Sequence, residues 1–588
     1  MQAELLSPLA ASLGDWLARA FPNAAPSALA AATLCASRAG EGHVCIRLDA
    51  ETGKQWASVL LPALDEWLAA LDASGFVGKA GDFTPLIREG TRLYLGRLWA
   101  DEVTLAEQLR IRAQPIGDAK WPQQVRTSLD PLFAGTTSDD GQRKAAATAL
   151  LNRIALISGG PGTGKTTTVA KVLAAMVALE PDSRIRLAAP TGKAAARMLE
   201  ALNGAKAKLG LDLVTLAALP DTAITLHRLL GFRPDSAIPR HHADNPLALD
   251  ALVVDEASMI DLALLRALLD ALPAHARLIL LGDKDQLDAV EAGSAFAELV
   301  GLAGLSAEGA TRLGIATGAT VTPSATATAS KANFGDAVAM LTVSHRFHAD
   351  SGIGALARHA NQGDVPSALA LLQADSHADL HWHAGRVAEW QGKLLATLAS
   401  QLAPYRAAIE AQDIAAAWAG FDQLRLLCAL REGPAGVNTL NTLIETRLWR
   451  ADPRRQPWYA GRPVIIRSND AATGLANGDI GLTLSTEDGL RVHFPQQGGW
   501  RALAPARLPA HDTAFALTVH QSQGSEFREA WLLLPDDDAA VLSRALVYTA
   551  ITRARERFVL WGSGTTLAAA IARENRRESG LAERLQVS

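Results

Sequence analysis

The residues Gly159-Gly160-Pro161-Gly162-Thr163-Gly164-Lys165-Thr166 follow the spacing G-x-x-x-x-G-K-[ST]. Glycines at those positions let backbone N–H groups turn inward around phosphate oxygens, and the helix that follows presents its positive end to them. In such a loop Lys165 reaches the β and γ phosphates and the Thr166 hydroxyl binds Mg²⁺, with Thr167 in the same first helical turn. About ninety residues on, the apolar run Ala251–Val254 delivers two adjacent carboxylates, Asp255 and Glu256. At the C-terminal end of a strand the first can hold Mg²⁺ and the second can polarise an attacking water. A further run, Arg277–Leu281, ends in Gly282-Asp283-Lys284-Asp285-Gln286, where Gln286 can sense a γ phosphate or place the water. Gln142, ahead of the loop, can contact adenine, although a surface glutamine is commonplace. Phosphoryl transfer needs cations beyond Lys165. Arg346 and Arg553 are candidates, each on its own also readable as a plain surface arginine.

These groups need a scaffold. From Asp139 short apolar runs alternate with helical stretches: Ile154–Ser158, Ile185–Ala189, Ala251–Val254 and Arg277–Leu281. That alternation predicts an α/β fold with parallel sheets covered by helices. From Pro8 to about Leu71 the pattern is mostly helical, with a helix over Ala30–Ser37 and a short strand over His43–Leu48, and Leu86–Glu102, which lies before Trp121, can form a strand running into a helix. No catalytic constellation stands out there. Gly301–Asn333 is rich in Gly, Ala, Ser and Thr and reads as a poorly ordered connection. Arg462–Phe494 reads as β-rich, with Asn477-Gly478 a tight-turn signal between Val464–Arg467 and Ile480–Leu484. After Val519 strand and helix alternate again through Glu529–Leu534, Val547–Arg553 and Phe558–Trp561.

The 588 residues imply about three to five structural units. An apolar content of 49% and a charged content of 20% argue against long disorder. The net charge of −5 excludes a histone-like protein, so nucleic acid would have to be met in a local basic groove. Cys35, Cys45 and Cys428, with no C-x-x-C, exclude a disulfide scaffold and a cysteine-rich metal site. Glu4 and Asp15 interrupt the N-terminal apolar residues, and no apolar run approaches the roughly 18–20 residues of a membrane span. A cytoplasmic protein without membrane contact is expected.

The order GGPGTGKTT, APTGKAAARM, TLHRLLG, LVVDEAS, LLGDKDQL, SHRF, TVHQSQGSEF and VYTAITRAR resembles the motif set of superfamily 1 DNA helicases. TLHRLLG and TVHQSQGSEF look like the branch that moves 5′ to 3′, and RLYLGRLW, LRLLCALREGP and NPLALDALVVDEASMIDL resemble the RecD family of exodeoxyribonuclease V alpha subunits.

The resemblance implies two RecA-like motor domains with ATP and Mg²⁺ between them. One spans 121–345 with a duplex-splitting pin near 231–250. The other spans 346–588 with an SH3-like β insert near 460–512. An N-terminal α+β domain over 1–120 would dock a partner. Gln142, Gly159 to Thr167, Asp255, Glu256 and Gln286 would belong to the first motor domain, with Arg346 and Arg553 reaching across from the second. Pro190, Thr191, Thr225, His227, Thr518 and His520 match positions that contact single-stranded DNA, although Thr225 and His227 also suit a helix cap. The implied activity is ATP-driven 5′-to-3′ translocation and unwinding at single- and double-stranded DNA ends, in a heterotrimer with RecB-like and RecC-like subunits. A nuclease would need a D/E-x-K element. Asp118-Ala119-Lys120 is the one such triplet and lacks strand context, so the nuclease centre is expected in a partner.

Overall fold

Apolar runs without polar alternation suit strands buried on both faces, as a helix-covered parallel sheet requires. The computed structural model describes residues 7–56, 59–135, 140–233, 236, 238–325, 333–348, 350–452, 454–470, 472–496 and 498–586. Six strands form a first, wholly parallel sheet: β1 (Ile154–Gly159), β2 (Ile185–Ala189), β3 (Ala223–Thr225), β4 (Ala251–Val254), β5 (Arg277–Gly282) and β6 (Val338–Leu341). Their order across the sheet is β6-β1-β5-β4-β2-β3.

Helices α1 (Gly96–Arg112), α2 (Gly141–Leu151), α3 (Lys165–Leu179), α4 (Gly192–Lys206) and α5 (Leu262–Ala271) cover it. Successive strand residues face opposite ways. Ile154, Leu156, Leu252 and Val254 join one core with α1 and α5, while Ala155, Ile157, Ala251 and Val253 join another with α2, α3 and α4. The N-terminal helix α1 therefore shares a core with the first sheet. Arg112 also donates to the carbonyls of Leu269 and Leu272 (3.1 and 2.9 Å), and Asp101 pairs with Arg266 (3.1 Å).

A second parallel sheet contains β7 (Leu380–His383), β8 (Leu424–Cys428), β9 (Ala516–Thr518), β10 (Phe527–Leu533) and β11 (Ala554–Trp561), in the order β7-β11-β10-β8-β9. Leu426, Trp531 and Trp561 face one core, and Leu427, Leu532 and Leu560 the other. Strands Pro463–Ile466, Ile480–Thr486, Gly489–Gln496, Gly499–Leu503 and His511–Thr513 form a separate antiparallel sheet. Near the N-terminus Cys45–Arg47, Arg92–Leu95, Leu86–Glu89 and Val77–Gly78 make a four-stranded sheet. No helix among the described residues is long and apolar enough to cross a membrane.

Several local expectations need correction. The stretch read as a poorly ordered connection contains α6 (Ala307–Thr317), which packs against α2. The Ser306 side chain caps its start, Gly318 at φ +74° ends it, and Ala310, Leu313 and Ala316 supply a buried face. Composition concealed that helix; residues 326–332 of the same stretch lie outside the described set. The strand expected over His43–Leu48 covers only Cys45–Arg47, because the chain coils into a helical turn at Leu48. Gly478 does adopt φ +91°, but it closes a longer loop in which Asp470 bridges to Leu475, not a two-residue hairpin. The 231–250 stretch holds two isolated bridges, Arg233 to Ser236 and His242 to Asn245, while residues 234, 235 and 237 lie outside the described set.

Trp561 ends β11, is fully buried, and packs against Trp390 and Trp531 at ring-centroid distances of 5.9 and 5.7 Å. Replacing it by alanine leaves a large cavity in the second core. Trp561→Ala is expected to cost about 3–5 kcal/mol, read as a lower denaturant midpoint of the second half.

Candidate nucleotide site and strand-contact residues

Parallel strands bring their C-terminal ends to one edge, which is where ligands bind in such sheets. Gly159 ends β1, Asp255 follows β4 and Asp283 follows β5, so residues far apart in sequence meet there. Asp255 and Asp283 line a cleft of about 890 Å³ together with Gln142, Gly160 to Thr167, Arg197, Glu256, Gln286, His345, Arg346, Glu526 and Arg553. Gly159 is the exception among the expected loop residues: it ends the strand, and its carbonyl accepts from the Lys165 ammonium, which also donates to Gly160 O at 3.3 Å.

The glycines are dictated by space as well as by conformation. Gly162 and Gly164 have φ of +76° and +83°. A Cβ on Gly162 would fall on the Arg346 side chain, and one on Gly164 would fall within the Gln142 amide. Gln142 sits just inside α2, which Asp140 caps, and donates to Thr163 O at 3.2 Å. His345 N donates to Gly162 O (2.8 Å) and the Ser344 hydroxyl to Pro161 O (3.1 Å). Arg346 is thus held against the loop. It stands on the connection directly after β6, the edge strand of the first sheet.

Burial and the adjoining Glu256 carboxylate push the Asp255 pKa up to about 6, while Lys165 opposes the rise. A cation against these oxygens would reverse that penalty. With the Thr166 hydroxyl at the start of α3, the donors are all oxygen, the chemistry Mg²⁺ takes. Glu256 is held at φ +53°, unusual for a residue with a side chain and costing about 1–3 kcal/mol. Strain of that kind is kept where the direction of the side chain matters.

A polar chain crosses the cleft. Arg553, at the end of α8 (Arg544–Thr552), donates to Gln286 Oε1 at 2.7 Å and to the carbonyls of Ser525 (3.0 Å) and Thr549 (3.2 Å). Gln286 Nε2 donates to Asp283 Oδ2 (2.9 Å), which also accepts from the Tyr548 hydroxyl (3.1 Å). Arg346 pairs with Glu526 at 2.7 Å, and Arg197 of α4 donates to Gly524 O at 3.0 Å. Arg197, Glu526, Asp283 and Tyr548 were not singled out as site residues. Each lies inside a motif that was, APTGKAAARM, TVHQSQGSEF, LLGDKDQL or VYTAITRAR, and that membership was the available signal.

The strand-contact candidates lie apart from this cleft. Pro190 and Thr191 follow β2, and Thr225 ends the adjoining β3, so these positions share one sheet edge. Both threonines cap helices: Thr191 accepts from Ala194 N and Thr225 from Arg228 N, each at 3.2 Å. The His227 ring lies 5.2 Å from that of Phe232. Thr518 ends β9 and exchanges hydrogen bonds with Gln521, while burial and the Arg577 charge lower the His520 pKa. Asp118 and Lys120 form a turn in which Lys120 N donates to Asp118 Oδ1 at 2.9 Å, outside any strand.

A side chain at position 164 would have to displace Gln142 and hold φ +83°. Gly164→Ala is expected to weaken binding of a fluorescent ATP analogue at least tenfold, from about 1–3 kcal/mol of backbone strain plus the lost amide position. Titration of the folded variant reads this directly.

Residues 142–292 match the model of an AAA domain, residues 2–94 that of the RecBCD enzyme subunit RecD N-terminal domain, and residues 513–561 that of a UvrD-like helicase C-terminal domain. RecBCD enzyme subunit RecD of Mycolicibacterium smegmatis is 37% identical over 599 residues, covering 99% of this chain and 98% of that one. The subunit of the same name from Haemophilus influenzae is 32% identical over 615 residues, covering 95% and 93%. The ATP-dependent RecD2 DNA helicase of Deinococcus radiodurans is 30% identical over 512 residues, 84% of this chain and 59% of that protein. With such identity along nearly the whole length of both chains, this protein belongs to the family of RecD subunits of the RecBCD enzyme.

Proposed function

We propose that the chain is an ATP-driven helicase subunit that moves 5′ to 3′ along single-stranded DNA, in an assembly with RecB-like and RecC-like subunits acting on DNA ends. The observation that carries the reading is the Arg553–Gln286 bond. It links a group after α8 in the second half to the group that follows β5 in the first, so the nucleotide between them bears on both halves at once. Family membership and the helicase-domain match over 513–561 support the same reading.

In this mechanism the loop from Gly160 to Thr166 cradles the triphosphate through its N–H groups, and Lys165 sits against the β and γ oxygens. Thr166 and Asp255 would hold Mg²⁺, which when bound would neutralise charge on those oxygens. Glu256, fixed by its left-handed backbone, polarises the attacking water, and Gln286 aligns it. Arg346 and Arg553 stabilise the charge that develops on the transferred phosphoryl group. Hydrolysis leaves ADP and inorganic phosphate, and once the phosphate departs with its charge the two halves are free to separate. Each cycle thereby biases a two-state element, the closed or open cleft.

Pro190, Thr191, Thr225, His227, Thr518 and His520 would bear on the DNA strand, the first four from the first half and the last two from the second. Alternate closing of the cleft would shift one set along the strand relative to the other. Backbone contacts of this sort do not read sequence, as a translocating motor requires. In this reading the antiparallel sheet between Pro463 and Thr513 would serve as the SH3-like insert, and the 231–250 stretch as the pin. Residues before about 121 would dock the RecC-like partner, and the nuclease centre would lie in another subunit.

Arginine fingers act in the transition state more than in the ground state. Arg553→Ala is expected to bind ATP within a few-fold of the unaltered chain yet hydrolyse it roughly 10³-fold more slowly. Weakened binding with full turnover would assign Arg553 a ground-state role instead.

Polarity is read from substrates that carry a single tail. The full chain is expected to unwind a duplex with a 5′ single-stranded tail in an ATP-dependent way and to leave one with only a 3′ tail intact. Unwinding of the 3′-tailed duplex alone would overturn the reading.

A further inference from the structure

The chain crosses between its two halves a second time, at its C-terminal end. After β11 the helix Gly564–Ala572 closes the second half, and Arg573 is anchored there by bonds from its guanidinium to the carbonyls of Ala539 and Leu542, both at 2.7 Å. Arg573 O accepts from Arg544 N at 2.9 Å, and Arg544 lies 3.8 Å from Glu574. Immediately afterwards the partners change. Asn575 donates to Asp288 at 3.3 Å, and Arg577 donates to the carbonyls of Ala289 (2.6 Å) and Glu291 (2.9 Å). These three residues sit on the segment that leads away from Gln286.

The segment then fastens the N-terminal region. Glu578 N donates to His43 Nδ1 (3.0 Å), and Val44 N donates to Glu578 O (2.8 Å). The fully buried Glu102 of α1 accepts from the Ser579 hydroxyl (2.8 Å), Gly580 N (2.9 Å) and Arg584 Nε (2.8 Å). Leu581, which opens α9 (Leu581–Gln586), is buried in the core of the first sheet.

Two glycines make room for this arrangement. Gly42, at φ +97°, leaves the space that the Arg577 guanidinium fills, and a Cβ on Gly580 would meet the Tyr94 hydroxyl at 2.5 Å and Glu102 at 2.8 Å. A buried carboxylate with three donors from one segment is a built dock, since an unpaired charge there would be costly.

The tether is also short. Only two peptide steps separate Arg573 from Asn575, and two residues of extended chain reach at most about 7 Å. While Arg573 and Asn575 keep their partners, the halves can part at this point by no more than that reach. The other crossing is the connection between β6 and α7 (Gly352–Gln362), which carries Arg346.

We infer that Asn575–Arg584 is a second hinge of the motor, which fixes the axis of cleft opening, carries that motion to the N-terminal region, and makes Arg577 a positioning residue for Gln286. The inference rests on the motor reading above for its consequences, while the pinning itself is a property of the fold.

The test uses the full chain. Three glycines inserted between Glu574 and Asn575 add about 10 Å of slack while leaving every docking contact available. Spin labels placed by Asp182→Cys and Ala411→Cys, both exposed, report the separation of the halves, since Cys35, Cys45 and Cys428 are buried. The insertion is expected to broaden the label-distance distribution and to lower base pairs unwound per ATP by roughly 2- to 30-fold, with KM for ATP unchanged. Arg577→Ala is expected to lower kcat over the same range at unchanged KM, and Arg577→Lys, which keeps a donor for one carbonyl, to restore part of it. Unaltered distances and coupling in the insertion variant would overturn the hinge. If the insertion fails to fold, equal kcat values for Arg577→Ala and the unaltered chain would overturn it in its place. Absence of DNA-stimulated ATP hydrolysis in the unaltered chain would sink the motor reading and not the hinge, which the label distances still report.

Discussion

One buried guanidinium ties the two halves of this molecule together. Arg553 is 3% exposed, and its Nε, Nη1 and Nη2 each have a neutral oxygen to donate to. A charge taken from water is tolerable only with such full pairing. One of those oxygens belongs to Gln286, across the cleft, and Gln286 is held in turn by Asp283 and, through it, by Tyr548. Tyr548 and Arg553 come from one stretch of chain and grip the same loop at two points. Moving the second half away from the first therefore breaks several buried hydrogen bonds together, which is the cooperativity a two-state element requires.

The cleft exists because both sheets are parallel. Parallel strands present all their C-terminal ends on one edge, and that edge of the first sheet carries the phosphate loop, the Asp255–Glu256 pair and Gln286. The same edge carries the Pro190–Thr191 and Thr225–His227 positions on neighbouring strands. The phosphate loop and these four candidate strand-contact positions are thereby parts of one layer. A shift at β4 or β5 cannot stay local in a packed core. Burial, and after it the Arg577 charge, lower the His520 pKa, so the C-terminal segment is within electrostatic reach of that position in the second half.

The N-terminal region is less separate than a docking module need be. Tyr94, Leu98 and Leu105 sit in the same core as Leu252 and Leu278, and the C-terminal segment is laid over the junction. A partner bound to that region would be mechanically continuous with the first sheet. Between the two parallel sheets many contacts are hydrogen bonds and ion pairs, with Leu287 of the first half packed into a core of the second, and the covalent crossings are few.

The sequence by itself determined the chemistry and the scaffold class. Gly162, Gly164, Lys165 and Thr166 are legible because that order of small, cationic and hydroxyl residues suits wrapping a triphosphate, and the runs around Leu156, Val253 and Leu280 are legible because strands buried on both faces exclude polar alternation. The tertiary structure decided what spacing cannot encode. The helix Ala307–Thr317 was hidden by a composition that resembles a linker, although its caps at Ser306 and Gly318 are present. Arg197 and Glu526 are separated by more than half the chain, and only the approach of α4 to the second half makes them neighbours. Arg346 belongs to the connection after β6 because that strand adds to the far edge of the first sheet, a placement that depends on which strand pairs with which. The C-terminal segment shows the limit most clearly: Glu102 and Gly580 bond over nearly the length of the chain, and no local pattern in either announces the other. Local sequence sets what a residue can do and which element it joins. Which residues face one another depends on how separate elements pack, through contacts that no single stretch of sequence contains.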